Sequence, residues 1–215
     1  EVGAAQEVAQ TNEEPIVESL EFYLNQMSGW ALVKKGLTGK GVKIGLIDAG
    51  FSKLKEQREL LHVFENKQLV AFRDFIEPER KNVEDEIQGS GSHGQKVFTK
   101  VAGYKKEEGE LIGFATGASF YLARTENSEK EHKVEEYDWV RALEWMDSLG
   151  VQLVNSSLGY SQFDDANENY TKSQMNGKYG ITSRAAEIAV QEKGMFLVIS
   201  AGNAGATDTS ATSGS

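Results

Sequence analysis

Apolar residues along this chain fall into two patterns, short unbroken aliphatic runs and longer stretches where they return every three or four positions. The clearest run is Val42-Lys43-Ile44-Gly45-Leu46-Ile47-Asp48-Ala49-Gly50. It is nearly continuous and closes on an acid and a glycine, which predicts a central parallel strand covered on both faces whose C-terminal end opens into a turn. Further strands are expected from Leu69 to Phe75, Ala118 to Ala123, Val151 to Asn155 and Met195 to Ser200. Helical spacing appears at Leu20, Tyr23, Leu24 and Met27, then from Trp30 to Lys35, where Gly36 stops it. It returns from Gln95 to Tyr104, with Val97 and Val101 on one face, and from Ile181 to Lys193, closed by Gly194. The longest helix is expected from Val134 to Leu149, with Val140, Leu143, Met146 and Leu149 facing inward and Gly150 as its stop.

Between these elements, Gly39 to Gly41 reads as a turn, Phe51 to Leu60 and Glu77 to Glu86 as charged loops, and Asp164 to Tyr179 as a polar insertion. The repeated order of strand, crossover helix and strand predicts an α/β fold, with a mostly parallel sheet, right-handed crossovers and helices on both faces. Residues 1–16 are acidic and aperiodic and read as a flexible leader; residues 17–215 are expected to form one domain. The 33 acidic against 23 basic residues give a net charge of -10, which argues against binding a nucleic acid backbone or an anionic membrane. Without cysteine there are no disulfides and no Cys-ligated metal. No run reaches the length of a membrane span. The first residue is Glu1 and not Met, so a processed form with its signal sequence removed is an expectation.

Three polar groups stand at the ends of apolar elements: Asp48, His93 and Asn203. Together they offer a carboxylate to hold an imidazole tautomer, an imidazole to move a proton and an amide to donate to a developing oxyanion. Each also has an ordinary reading, as a turn acid, a helix-cap histidine and an asparagine in a left-handed turn. A metal site is the weaker alternative, because no second histidine stands at ligand spacing. His62 and His132 are expected at the surface, and Trp139 and Trp145 as packing residues.

The flanking residues add a family resemblance. Ile44-Gly45-Leu46-Ile47-Asp48-Ala49-Gly50 resembles the catalytic aspartate strand of the subtilisin-like serine proteases, and Ser92-His93-Gly94 followed by Val97 resembles their histidine motif. Gly113-Phe114-Ala115-Thr116-Gly117-Ala118 is similar to their Gly-Val-Ala-Pro-Gly-Ala turn. Val154-Asn155-Ser156-Ser157-Leu158-Gly159 resembles the strand whose Ser-Leu-Gly edge pairs with substrate, and Ser200-Ala201-Gly202-Asn203 their oxyanion motif. The likeness runs from about Gly39 to Gly205, and five pieces in the family's order are far more specific than any one.

The resemblance implies a subtilisin-like three-layer architecture, incomplete at the C-terminus, over residues 17–215. It implies a serine endopeptidase working through an acyl-enzyme, with Asp48 as orienting acid, His93 as general base and Asn203 as oxyanion donor. A peptide or protein substrate is expected against Ser157, Leu158, Gly159, Ala201 and Gly202. The chemistry requires no cofactor; a structural calcium is common in the family, though no ligands follow for it here. A secreted or cell-envelope location is implied in the same way. Gln95, Lys96 and Thr116 depart from the family's usual Thr, His and Pro. The motif carrying the nucleophile is missing, since Thr212-Ser213-Gly214-Ser215 stands too near Asn203. A further C-terminal segment or a second chain is therefore expected to supply the serine. The alternative is a non-catalytic homologue that binds peptides; a Rossmann cofactor domain is disfavoured because no Gly-x-Gly-x-x-Gly follows the first strand.

Overall fold

The aliphatic run around Leu46 forms β1 (Lys43–Asp48), and five of its six residues are buried. The structure, a computed structural model, describes residues 25–83, 91–127 and 129–202. The other strands are β2 (Leu69–Asp74), β3 (Tyr104–Lys105), β4 (Glu110–Leu111), β5 (Ser119–Arg124), β6 (Leu153–Ser156) and β7 (Phe196–Ile199). Five of them make one sheet in the order β2-β5-β1-β6-β7, every pair parallel, while β3 and β4 form a separate antiparallel pair. Asp48 stands opposite Arg124 on β5, and Ile47 opposite Ser156 on β6, so the C-terminal ends of these strands share one edge. Ligands of open α/β sheets sit at that edge, where the loops leave.

The helices are α1 (Trp30–Lys34), α2 (Leu61–Glu65), α3 (His93–Ala102), α4 (Val134–Ser148) and α5 (Ile181–Gln191). Alternation along β1 divides the core between the two faces. Ile44 and Leu46 face Phe98 and Ala102 of α3 together with Phe120 and Leu122 of β5. The Phe98 and Phe120 rings meet edge to face at 4.8 Å. Ile47, Tyr121 and Val154 face Trp139, Leu143 and Met146 of α4, and Ala189 of α5 belongs to the same cluster. Gly45 leaves the space that the Met146 sulfur occupies.

The two faces are not equally covered. On the α3 side, the residues of β7 opposite Leu153 and Asn155 are Phe196 and Val198, and these are 64% and 46% exposed. Among the described residues helix α3 covers the β1 and β5 half of that face, and the β6 and β7 half is left exposed at Phe196 and Val198.

Within the described residues the expected strands and helices form with shifts of at most two residues at their ends. Phe51 to Leu60 differs from the loop that its charge predicts: it holds 3-10 turns at Leu54–Glu56 and Arg58–Leu60, followed by α2. Leu54, Leu60 and Val63 are fully buried, so this segment is core, and its turns are too short to show a period. His62 is also not a surface residue; it is 6% exposed, edge-on to Tyr104 at 5.9 Å, with both ring nitrogens unbonded. Burial lowers its pKa below the ordinary histidine value. His132 is exposed and Trp139 is buried, as expected. Of the inward candidates on α4, Leu143 and Met146 are buried while Val140 and Leu149 pack at the margin. The leader, and Leu20, Tyr23 and Leu24 of the first expected helix, lie outside the described residues.

The unequal covering gives a stability test. Phe98→Ala should destabilise the chain by about 3–5 kcal/mol in urea unfolding, because it empties a filled site. Phe196→Ser should change stability by less than about 0.5 kcal/mol, since the ring is already in solvent. Equal losses for the two would contradict the burial pattern.

Candidate active site

The carboxylate of Asp48 ends β1 and is wholly buried. Its Oδ1 accepts from the Ala49 backbone N–H at 2.8 Å and lies 2.7 Å from His93 Nδ1. His93 is the first residue of α3, and three glycines let that helix approach. A Cβ on Gly94 would sit 2.5 Å from the Gly50 carbonyl oxygen and 2.8 Å from the Asp48 Cβ. One on Gly50 would sit 2.7 Å from the Gly91 Cα. The Ser52 N–H donates to the Gly91 carbonyl at 2.6 Å, tying the turn after β1 to the helix start. Only backbone without side chains fits at this crossing, so the two functional groups are 45 residues apart in sequence and in contact in space.

Burial holds the Asp48 carboxyl above its ordinary range, and the hydrogen bond and charge of His93 offset that rise only in part. When the neutral imidazole donates from Nδ1 to this carboxylate, its Nε2 carries the free lone pair. The His93 side chain is 55% exposed, so that nitrogen can meet a reactant while Asp48 stays dry. A buried acid that orients a solvent-facing imidazole is an arrangement for general base catalysis.

Beyond β6 the chain continues as Ser157-Leu158-Gly159, half-buried to exposed, and beyond β7 as Ala201-Gly202, which is exposed. The two segments stay close: the Ser200 hydroxyl donates to the Leu158 carbonyl at 3.2 Å, and the Ser200 N–H to the Ser156 carbonyl at 3.0 Å. The Asn155 amide donates to the Ser157 hydroxyl at 3.1 Å. A cavity of about 140 Å³ opens beneath this pair, lined in part by Leu158, Gly159, Ser200, Trp139 and Tyr170. Asn203 follows Gly202 directly and lies outside the described residues.

Buried ionisable groups around the site have no counterpart in the pattern of apolar positions. Glu126, two residues past β5, is 9% exposed, and its Oε1 has no hydrogen-bond partner. Burial raises its pKa to about 8, with further upward pushes from Glu135, Glu131 and Asp48. Glu135 accepts from the backbone N–H groups of Asn127 and His132, and Glu136 accepts from the Tyr170 hydroxyl at 2.7 Å. Arg124 is 2% exposed and bonds Asp74, Glu77 and the Ala49 carbonyl. The available signals were position and spacing. Arg124 ends its strand as Asp48 ends β1, and Glu135 follows His132 by the three residues of a capping contact. Glu77, expected in a solvated loop, takes part in the Arg124 cluster. Among the described residues no three His, Cys, Asp or Glu side chains converge as a metal-binding group.

Comparison with known proteins places the chain in a family and a fold. A family model described as Peptidase_S8, the subtilase family, matches residues 39–215. Subtilisin amylosacchariticus of Bacillus subtilis subsp. amylosacchariticus is 25% identical over 199 residues, covering 92% of this chain and 43% of the relative. Subtilisin E of Bacillus subtilis (strain 168) is 26% identical over 143 residues, covering 66% of this chain and 33% of the relative. The chain therefore spans less than half the length of these relatives. Among solved structures, the CspB protease of Clostridium perfringens aligns with a TM-score of 0.61 at 16% identity, over 81% of this chain and 38% of that one. MycP1 from Mycobacterium smegmatis aligns at 0.54 with 18% identity, over 87% of this chain and 46% of that one. At these identities the structural matches carry the fold alone.

The pKa of Glu126 makes a signed prediction. The folded chain binds this proton more tightly than the unfolded chain, whose carboxyl titrates near 4.5, until pH exceeds about 8. Its stabilising contribution is complete below the lower value and is lost as pH rises through the upper one. Glu126→Gln should therefore raise the melting temperature at pH 9 and leave it nearly unchanged at pH 5. An equal shift at both pH values in thermal melts would contradict the buried, protonated state.

Proposed function

Because the chain belongs to the subtilase family, we propose that the polypeptide carrying it is a serine endopeptidase, hydrolysing peptide bonds through an acyl-enzyme. The observation that carries this reading is the 2.7 Å contact between His93 Nδ1 and the buried Asp48 carboxylate, with the rest of the imidazole open to solvent. His93 takes the proton of a serine hydroxyl at Nε2 as the oxygen attacks the substrate carbonyl, and Asp48 holds the ring and stabilises its charged form. The Asn203 amide donates to the carbonyl oxygen once negative charge develops there. His93 then returns its proton to the leaving amine, and water repeats the sequence on the ester.

The substrate lies as an added strand along Ser157, Leu158 and Gly159, facing Ala201 and Gly202, and one of its side chains enters the cavity of about 140 Å³ below them. The open face of β6 and β7, where Phe196 and Val198 stand in solvent, supports a further segment or second chain that packs there and brings the serine beside His93. Covering apolar surface recovers roughly 25 cal/mol for each Å². The substrates are peptides or proteins met outside the cytoplasm, in a secreted or cell-envelope setting. Among the described residues no helix is long and apolar enough to cross a membrane.

Peptide hydrolysis by the full-length polypeptide tests this reading. Asn203→Ala should lower kcat by about 10²- to 10³-fold with little change in KM, because the lost contact belongs to the transition state. Asp48→Asn should cost on the order of 10⁴-fold, since the ring then settles in the wrong tautomer. Peptide binding without hydrolysis, unchanged by either substitution, would move the protein to the non-catalytic homologue.

A further inference from the structure

We infer that Arg124 is a positioning residue for the catalytic pair: it fixes the turn after Asp48 by clamping the Ala49 carbonyl, and so sets the direction of the carboxylate that holds His93. This rests on the proposed peptidase reading. Arg124 is the last residue of β5 and stands in register with Asp48, with its side chain 3% exposed. Its Nε donates to the Ala49 carbonyl oxygen at 3.1 Å. Its Nη1 donates to Asp74 Oδ2 at 3.0 Å and reaches Glu77 Oε1 at 3.3 Å.

The consequence comes from what Ala49 does with its other side. The Ala49 N–H donates to Asp48 Oδ1, the same oxygen that meets His93 Nδ1. One residue is thus held by the guanidinium through its carbonyl and holds the carboxylate through its amide. Among the described residues Asp48 Oδ2 makes no hydrogen bond within ordinary geometry, and the backbone groups that stabilise the carboxylate, those of Ala49 and Gly50, belong to the turn that Arg124 clamps. The far end of the clamp is anchored in turn. Asp74 Oδ1 accepts from the backbone N–H groups of Ile76 and Glu77 at 2.9 and 2.8 Å, and the Phe75 N–H donates to the Arg124 carbonyl. Arg80 bonds Glu77 at 2.6 Å and lies 3.3 Å from Asp74. Two cations and two carboxylates therefore balance, and the guanidinium is held as a rigid fork between β2 and the turn after β1.

A lysine can keep the charge opposite Asp74, but it has one nitrogen and no Nε donor at the carbonyl. Arg124→Lys is therefore the deciding variant, since a residue without charge would strand Asp74 in the interior. Glu77→Gln is its control; it weakens the outer ion pair and leaves the Ala49 clamp in place.

The experiment measures steady-state peptide hydrolysis by the full-length polypeptide, normalised to titrated active sites, and the downfield proton NMR signal of the His93 Nδ1–H facing Asp48, with thermal melts alongside. Arg124→Lys should lower kcat by ~10- to 100-fold with KM within about twofold, the loss that a displaced catalytic group brings. It should also move or broaden the downfield proton. Glu77→Gln should leave both unchanged while lowering the melting temperature. The inference is overturned if Arg124→Lys alters only the melting temperature, or if Glu77→Gln lowers kcat as much. The proton signal needs no substrate, so it tests the Arg124 clamp even where the unmodified protein proves unable to hydrolyse peptides.

Discussion

Everything in this molecule that bears on chemistry depends on placing a carboxylate in the dry interior 2.7 Å from a histidine that faces solvent. Desolvating an anion is costly, and the cost is contained because Oδ1 keeps the Ala49 amide and the imidazole as partners. The sheet supplies the depth, since β1 is its central strand and Asp48 is its last residue. Glycines at 50, 91 and 94 supply the closeness, letting the start of α3 lie on the turn that leaves β1. A side chain at Gly50 or Gly94 would meet the backbone of this crossing and push the imidazole away from the acid.

Among the described residues the same sheet is covered on one side and only half covered on the other. Where α4 and α5 pack, Trp139, Met146 and Ala189 close a continuous core. On the opposite face α3 stops over β1 and β5, and the outer strand leaves Phe196 and Val198 exposed. Exposed apolar positions clustered on a strand at the edge of a sheet mark a surface that gains by being covered. They stand on β7, the strand that leads into Ser200.

What the chain's order of residues made legible was whatever repeats or runs. The aliphatic stretch of β1 announces a buried strand, and the motifs around His93 give that residue a context that a lone histidine would lack. Segments whose burial depends on distant partners were not legible. His62 is buried because Tyr104 lies over it, and Glu136 because Tyr170 reaches its carboxylate from 34 residues away. Periodicity places Glu135 and Glu136 on the start of a helix and says nothing of burial, since an acid counts as an outward residue until its donors are known. The 3-10 turns between Leu54 and Leu60 bury both leucines without completing a period that could be read. Asn203, which follows the last aliphatic run and its Ser-Ala-Gly motif, lies outside the described residues.

The most direct measurement is covalent labelling of the full-length polypeptide with a fluorophosphonate, which modifies only serines activated by a base, followed by peptide mapping. The account predicts one labelled serine per molecule, located beyond residue 202, and loss of the label in His93→Ala. A correctly folded protein that never labels, or one whose label survives the loss of His93, would contradict it.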